Sequence, residues 1–215
     1  MTPPVDSLAA AREEYTRGGL SEADLLADPF AMFARWYDEA AAAGIHEPNA
    51  MVVATASAAG QPSARLVLLK GVSAAGFAFF TNLDSRKGDD LAANRRCSLL
   101  FPWHPLERQV RVEGTATPLP RADVDAYFAT RPRGSQLGAW ASHQSSVVSG
   151  RAELEAAYDA AAERFPDAVP TPDFWGGYAV APETVEFWQG RPGRMHDRLV
   201  YARAGDAWAT YRLAP

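Results

Sequence analysis

Short runs of β-type residues, separated by tight turns, occupy most of the chain from Ala50 onward. In the longest run, from Arg108 to Thr117, Val110 and Val112 share one face, which is the alternation of a half-buried strand. Strands are predicted over 51–55, 65–70, 77–81, 98–103, 108–117, 178–188, 195–202 and 207–213. Many short strands with few helices are typical of a closed antiparallel barrel, not of a doubly wound sheet.

Helical patterns are confined to the start of the chain and to segments between the predicted strands. One helix is predicted from Asp28, an N-cap followed by proline, to Gly44. Its Phe30, Phe33 and Tyr37 form an apolar stripe. Further helices are predicted over 9–15, 85–95, 121–130 and 151–165. Because there is no internal repeat and no clear linker, residues 1–215 are predicted to form one domain.

Composition excludes several classes of function. The net charge of −5 argues against nucleic acid as a partner. Cys97 is the only cysteine and opens an apolar run, so we expect a buried, inert thiol and neither a disulfide nor a cysteine metal cluster. The four histidines lack metal-type spacing, and no metal site is predicted. No segment has the roughly 20 apolar residues of a membrane span, and no signal-peptide pattern is present, so we expect a cytoplasmic protein without membrane contact.

The familiar catalytic motifs are missing from the sequence. It has no Gly-x-Gly-x-x-Gly after a strand, no P-loop and no Gly-x-Ser-x-Gly elbow. Simple hydrolase and dinucleotide-binding interpretations are therefore weak.

Residues suited to binding phosphate stand at predicted strand and helix ends. The sequence Ser85-Arg86-Lys87 lies where a strand turns into a helix, and a helix start with cations and a hydroxyl suits an anion. On spacing alone, a solvated basic turn is the favoured interpretation. Arg65 and Lys70, five apart on one predicted strand, point to opposite faces if the strand is regular, and either is compatible with plain surface charge.

Tyr127, Arg131 and Ser135 follow one another at spacings of four. A regular helix would stack them on one side, although Pro132 and Gly134 favour a helix end there. Arginine, a phenol and a serine hydroxyl suit a phosphate monoester. An ordinary helix surface is an equally good interpretation of the pattern.

Arg194, His196 and Arg198 alternate along the chain, so a strand would place all three on one face. Three aligned cationic groups repel one another unless carboxylates or an anionic ligand meet them. We therefore expect this row to face a ligand.

These groups, in this order, closely resemble the pyridoxine/pyridoxamine 5′-phosphate oxidase family. The resemblance runs from about Arg12 to Pro215. The blocks that carry it are Arg-x-Val-Leu-Leu-Lys at 65–70, Thr-Asn-x-x-Ser-Arg-Lys at 81–87, Phe-Pro-Trp-His…Glu-Arg-Gln-Val at 101–110, Arg-Pro-Arg-Gly-Ser-Gln at 131–136, His-Gln-Ser-Ser at 143–146, Glu-Phe-Trp-Gln…Arg-x-His-Asp-Arg at 186–198 and Arg-Leu-Ala-Pro at 212–215.

The resemblance implies a mainly β, α+β protein built on an antiparallel split β-barrel of Greek-key type. It also implies a homodimer with flavin mononucleotide (FMN) at the subunit interface. The residues implied to hold FMN are Arg65, Lys70, Phe80, Thr81, Arg86, Lys87, Gln109, Gln144, Ser145, Trp188 and Arg198. Phe80 stands where the family often has tyrosine, and the missing hydroxyl weakens flavin binding by about 1 kcal/mol if it contacts the flavin phosphate.

For the substrate, the resemblance implies that Lys70, Tyr127, Arg131 and Ser135 bind its phosphate. Arg194 and His196, the implied catalytic pair, lie over its pyridine ring. Arg12 and Tyr15 belong to an N-terminal segment, about residues 1–20, that is implied to act as a mobile lid.

The implied reaction oxidises pyridoxine 5′-phosphate or pyridoxamine 5′-phosphate to pyridoxal 5′-phosphate, with O2 as the acceptor. One alternative is a related flavin oxidase of phenazine-type pathways, although an unphosphorylated substrate has no use for the phosphate-binding group. Another is a carrier that binds flavin or pyridoxal phosphate without catalysis, which the presence of both Arg194 and His196 argues against. A purely structural protein would leave the cations at 194–198 unexplained.

Overall fold

A computed structural model describes residues 14–215 of the chain. Arg12 and most of the helix predicted over 9–15 therefore lie outside the described residues. Tyr15, which is described, is not helical.

Nine strands and five α-helices make up the described residues. The strands are β1 (Ala50–Ala56), β2 (Pro62–Leu68), β3 (Gly71–Ser73), β4 (Gly76–Asn82), β5 (Arg96–Trp103), β6 (Arg108–Pro118), β7 (Trp175–Gln189), β8 (Asp197–Ala204) and β9 (Ala207–Arg212). The helices are α1 (Pro29–Ala42), α2 (Arg86–Ala93), α3 (Arg121–Thr130), α4 (Arg133–Ala141) and α5 (Arg151–Arg164). Short 3-10 turns occur at Glu22–Asp24, His104–Leu106 and Pro192–Arg194.

The strands form one sheet in the order β2-β1-β5-β6-β7-β4-β3, with β8 paired to β7 and β9 paired to β8. The pairs β1–β2, β3–β4, β4–β7, β7–β8 and β8–β9 are antiparallel. The prediction of a mainly β, antiparallel architecture with peripheral helices is confirmed.

The chain divides into two compact units. The first contains the described residues up to Pro48 together with Leu100–Arg111 and Thr184–Pro215, and the second contains Asn49–Leu99 and Val112–Glu183. The prediction of a single domain over 1–215 stays a prediction.

In the first unit, α1 covers an aromatic core. Its N-cap is Asp28, whose carboxylate accepts a hydrogen bond from the Phe30 amide at 3.0 Å, as the sequence predicts. The Phe33 ring lies 4.8 Å from that of Phe101, and the Trp36 ring lies 5.2 Å from that of Phe187. The buried face of α1 is Pro29, Met32, Phe33, Trp36 and Ala40, so the predicted stripe is fully buried only at Phe33.

In the second unit, helices α3, α4 and α5 pack around a separate apolar cluster. Its buried members are Val124, Phe128, Leu137, Ala161, Val169 and Trp175. The turn into β4 requires Gly76, which has φ +118°, and a Cβ there would lie 2.0 Å from the Val180 carbonyl oxygen. Cys97 is buried as expected, and burial raises the pKa of its thiol to about 12.

Two element boundaries and one missing helix in the sequence-based prediction affect the site. Strand β2 ends at Leu68 and does not reach Lys70, helix α4 was not predicted, and β8 begins only at Asp197. In the described part of the chain, no helix is long and apolar enough to cross a membrane.

Candidate active site

A cavity of about 980 Å³ lies in the second unit, and we call it the cation-lined cavity. It is at the upper end of the range of about 300–1,000 Å³ that holds small molecules and cofactors. The sequence-predicted site residues that line it are Arg65, Lys70, Phe80, Thr81, Arg86, Lys87, Tyr127, Arg131, Ser135, Gln144 and Ser145. Groups distant in the sequence thus meet at one concave surface.

Lys87 is the most buried cation of this cavity, with 7% of its surface exposed. Its ammonium group donates to Thr81 Oγ1 at 2.8 Å and to Gln144 Oε1 at 2.5 Å. Burial, and secondarily the charge of Arg65, lowers the pKa of Lys87 to about 8. A buried ammonium with a depressed pKa gains stability from an anionic ligand.

The start of α2 supplies backbone donors next to Lys87. The N-cap Ser85 accepts a weak hydrogen bond from the Gly88 amide at 3.4 Å, and the Arg86 amide donates to Ser145 Oγ at 3.2 Å. A Cβ at Gly88 would lie 1.8 Å from the Leu83 carbonyl oxygen, so only glycine fits this turn. Between the two interpretations of Ser85-Arg86-Lys87, the cavity favours a ligand-facing helix start.

Arg65 is oriented by neighbouring strand residues. Its guanidinium donates to the Val53 carbonyl at 3.1 Å, to Thr55 Oγ1 at 2.7 Å and to Ser63 Oγ at 2.6 Å. Asp90 accepts a hydrogen bond from Thr55 at 2.6 Å and lies 4.0 Å from the guanidinium. Burial lowers the pKa of Arg65, and these contacts hold the side chain in one direction.

Lys70 lies beyond the end of β2, where its amide donates to the Ala78 carbonyl at 2.8 Å. Because the regular strand ends at Leu68, the alternation that would send Arg65 and Lys70 to opposite faces does not extend to Lys70. Both residues line the same cavity, and the condition of a regular strand, on which opposite faces were expected, is not met at Lys70.

Stacked rings form one side of the cavity. Phe80 lies 4.0 Å from Tyr127 and 5.4 Å from Trp175, with ring planes within 10° of parallel. The Arg131 guanidinium lies 4.8 Å from the centre of the Trp175 ring. Burial lowers the pKa of Arg131, and its Nη1 is buried without a hydrogen-bond partner among the described residues. A buried unpaired donor of this kind is costly in a folded protein.

Tyr127, Arg131 and Ser135 do not share one helix. Tyr127 lies in α3, Arg131 follows its last residue, and Ser135 lies in α4 after Pro132. The break allowed by Pro132 still brings all three to the cavity.

Gln109, Trp188 and Arg198 line a separate cavity of about 230 Å³ in the first unit. The buried Glu186 accepts from Arg198 Nε at 2.7 Å and from Arg111 Nη2 at 2.6 Å. The hydrogen bond from Arg198 to Glu186 raises the pKa of the guanidinium. Glu186 is a carboxylate of the kind that the cations at 194–198 require. Sequence reasoning did not assign it to the site, although it is the first residue of the block at 186–198.

Arg194, His196 and Arg198 are not aligned on one strand, contrary to the sequence prediction. Gly193 and Arg194 both have φ of 62°, and the resulting turn delays the strand to Asp197. Arg194 is exposed, whereas His196 Nδ1 accepts from the Arg191 amide at 3.1 Å. The His196 ring lies 4.7 Å from Trp188 and 5.6 Å from Tyr15.

The cation-lined cavity fits the phosphate end of FMN. Around the start of α2 it provides the buried Lys87, backbone donors at the helix start and hydroxyl groups, which are the groups that bind phosphate esters. Its stacked rings and amide side chains are suited to a planar ring system.

The fold and this cavity together define a class of protein: an antiparallel split barrel with a cation-lined cavity for an anionic ligand. Residues 37–165 match the family model described as "Pyridoxamine 5′-phosphate oxidase". Residues 175–215 match the model described as "Pyridoxine 5′-phosphate oxidase C-terminal dimerisation region". The chain belongs to the pyridoxine/pyridoxamine 5′-phosphate oxidase family.

Individual relatives agree with this assignment. A pyridoxine/pyridoxamine 5′-phosphate oxidase from Nocardioides sp. is 69% identical over 97% of this chain and 98% of its own. One from Rubrobacter xylanophilus is 57% identical over 97% of this chain and 96% of its own.

A solved structure of PhzG from Burkholderia lata 383, in complex with tetrahydrophenazine-1-carboxylic acid, superposes with a TM-score of 0.87. It is 31% identical and covers 93% of this chain and 99% of its own. The split-barrel prediction is confirmed.

Proposed function

We propose that this chain is an FMN-dependent oxidase that converts pyridoxine 5′-phosphate and pyridoxamine 5′-phosphate to pyridoxal 5′-phosphate, the last step of its biosynthesis or salvage. O2 is the acceptor and is reduced to H2O2. Oxidation of the amine substrate also consumes water and releases ammonia. The observation that carries the proposal is that Lys70, Tyr127, Arg131 and Ser135 line one cavity together with seven of the residues assigned to FMN: Arg65, Phe80, Thr81, Arg86, Lys87, Gln144 and Ser145.

The first four of these residues bind the substrate phosphate. Lys70 and Arg131 supply charge, while Tyr127 and Ser135 supply neutral donors, a combination suited to a phosphate monoester. Arg131 is already desolvated against Trp175 with Nη1 unpaired, so an incoming phosphate satisfies a donor that the fold leaves without a partner. Binding energy at this remote group orients the reacting carbon.

A second group of cations binds the phosphate of FMN: Arg65, Arg86 and Lys87, together with Thr81 and Ser145. The resemblance assigns Gln109, Gln144, Trp188 and Arg198 to the flavin ring; Gln144 lines the cation-lined cavity, and the other three line the cavity of about 230 Å³. When bound, FMN accepts a hydride from the 4′-carbon of the vitamer and passes the electrons to O2. The chain itself supplies position, charge and exclusion of water.

Arg194 and His196 act on the substrate ring, with Arg194 assisting electrostatically and His196 orienting the ring. Tyr15, whose ring centre lies 5.6 Å from that of His196, belongs with Arg12 to the lid. Arg12 lies outside the described residues. The match of residues 175–215 to a dimerisation region supports a homodimer, and FMN at its interface is part of the proposal. Cytoplasmic location is part of the same proposal.

A phenazine-type oxidase is the second candidate, favoured by the TM-score of 0.87 to PhzG. Against it stand the higher identities, 69% and 57%, to relatives named for the phosphorylated vitamers. The phosphate-binding residues of the cation-lined cavity also favour a phosphorylated substrate.

The test compares steady-state oxidation of pyridoxine 5′-phosphate with that of unphosphorylated pyridoxine, following H2O2. We expect kcat/KM to be larger for the phosphorylated form by at least about 10³-fold, because two charge-assisted contacts and two neutral ones are lost without phosphate. Arg194→Ala and His196→Ala are expected to lower kcat/KM. Equal rates with both vitamers, or wild-type kcat/KM in both variants, would contradict the proposal.

A further inference from the structure

Glu107 has an unusual place in the chain. It follows the 3-10 turn His104–Leu106 with a left-handed backbone (φ 55°) and immediately precedes β6. Its carbonyl oxygen accepts from the Gly190 amide at 2.7 Å and from Gln189 Nε2 at 3.2 Å. The backbone of Glu107 is therefore fixed to the end of β7, and its side-chain direction is set.

The carboxylate of Glu107 accepts two hydrogen bonds from consecutive backbone amides. Thr16 N–H donates to Oε1 at 3.2 Å, and Arg17 N–H donates to Oε2 at 2.9 Å. The donors lie about ninety positions earlier in the sequence, so this is a long-range contact and not a local turn. Bonds of amides to an ionised carboxylate are stronger than neutral ones. We call residues 15–17 the strap and this pair of bonds the clasp.

The clasp fixes the residue that precedes it. The Tyr15 ring meets Trp188 edge-on at 5.8 Å and 86°, and it meets His196 at 5.6 Å. At Gly190, an added Cβ would lie 2.8 Å from Tyr15 Cγ and 3.0 Å from Glu107 Cβ. The strap, the clasp and the end of β7 are thus packed without spare room.

We propose that Glu107 is a positioning residue of the oxidase, whose carboxylate holds the strap so that Tyr15 packs against His196 and fixes that ring. Glu107 contacts neither substrate nor flavin in this assignment and acts through Tyr15. The inference rests on the proposed function of His196. It deepens that function by naming what holds the lid segment in place.

The decisive variant is Glu107→Asn. Asparagine tolerates the left-handed backbone, but it is shorter and uncharged, so the clasp is removed without new strain. The matched control is Glu47→Asn, because Glu47 is also left-handed (φ 47°) and is exposed. Gly190→Ala keeps the charge of the Glu107 carboxylate but crowds Tyr15 Cγ and, slightly less, Glu107 Cβ.

Hydrogen exchange of the holoenzyme measures the clasp directly. In Glu107→Asn we expect the amides of Thr16 and Arg17 to exchange at least about tenfold faster, while those of β6 and β7 keep their protection. Glu47→Asn should match the wild type. Unchanged exchange at Thr16 and Arg17 would overturn the proposal.

Kinetics and the His196 ring resonances measure the positioning. We expect KM for pyridoxine 5′-phosphate to rise about fivefold in both Glu107→Asn and Gly190→Ala with kcat nearly unchanged, the signature of lost uniform binding. In both variants the His196 resonances should shift as the Tyr15 ring moves away. An unshifted His196, or equal losses of stability and kcat with KM constant, would leave Glu107 a structural residue only and refute the proposal. If the wild type oxidises neither vitamer, the proposed function fails, while exchange and the His196 resonances still decide the role of the clasp.

Discussion

The proposed contact of Lys87 with the flavin phosphate predicts that FMN binding depends on pH. The ammonium is 7% exposed and its pKa is lowered to about 8, first by burial and then by Arg65. A phosphate that is already a dianion above pH 7 binds the protonated ammonium best. FMN affinity should therefore fall as the pH rises through about 8.

The magnitude follows from the titration. At pH 9.5, about 1.5 units above the pKa, only about 3% of Lys87 is protonated, so the Kd of FMN should rise about thirtyfold relative to pH 7, or about 2 kcal/mol. The folding stability of the apoprotein should show the opposite dependence on pH. Because the folded pKa lies below the ordinary 10.5, the unfolded chain binds more protons between pH 8 and 10.5, and this group makes folding more favourable as the pH rises through that window.

The assay is a titration of apoprotein with FMN, followed by quenching of flavin fluorescence, at several pH values between 7 and 9.5. Lys87→Arg is the control, since a guanidinium does not titrate in this range. Lys87→Met should bind FMN weakly at every pH and be more stable as apoprotein, because a buried charge is removed. A wild-type Kd that is constant from pH 7 to 9.5, or an equal fall in affinity in Lys87→Arg, would refute the reasoning.

Three further predictions test other parts of the molecule. Arg131→Met should raise KM for pyridoxamine 5′-phosphate about thirtyfold, the equivalent of about 2 kcal/mol for a charge-assisted contact, with the Kd of FMN unchanged; an unchanged KM would remove Arg131 from the phosphate site. Glu186→Gln removes the buried negative charge that compensates the Arg198 guanidinium and should lower the free energy of unfolding, measured with denaturant, by about 2 kcal/mol. An unchanged free energy of unfolding would mean that the pair does not stabilise the fold. Gly76→Ala places a Cβ 2.0 Å from the Val180 carbonyl oxygen and should lower stability by about 3 kcal/mol, so a variant that melts like the wild type would contradict the close approach at this turn.

The sequence predicts most elements of the fold because their signals are local. Asp28 with Pro29 marks the start of α1, and the alternation of Val110 and Val112 marks β6. The errors arise where an irregular backbone interrupts a pattern. The strand predicted over 195–202 begins only at Asp197, and Arg194, His196 and Arg198 are not aligned on it, because Gly193 and Arg194 turn with positive φ. Arginine seldom adopts this conformation, and residue type does not signal it.

The resemblance predicts which residues form the candidate site, but not their geometry. The cations of the 65–70 and 81–87 blocks are recognisable by resemblance, but only the structure shows that strand β2 ends at Leu68 and that Lys70 lines the same cavity as Arg65. Long-range partners carry no sequence signal of their own. The clasp between Glu107 and Arg17, and the contact of Arg131 with Trp175, join segments about ninety and forty residues apart, and only the tertiary structure brings them together.

The proposed oxidase activity is tested by mixing the purified FMN-loaded protein with pyridoxamine 5′-phosphate in the absence of oxygen while following the visible flavin absorbance. We expect rapid bleaching that air reverses, because the bound vitamer would deliver its hydride to the flavin and O2 would then take up the electrons. A flavin that stays oxidised in the presence of pyridoxamine 5′-phosphate, or a protein that does not retain FMN, would contradict it.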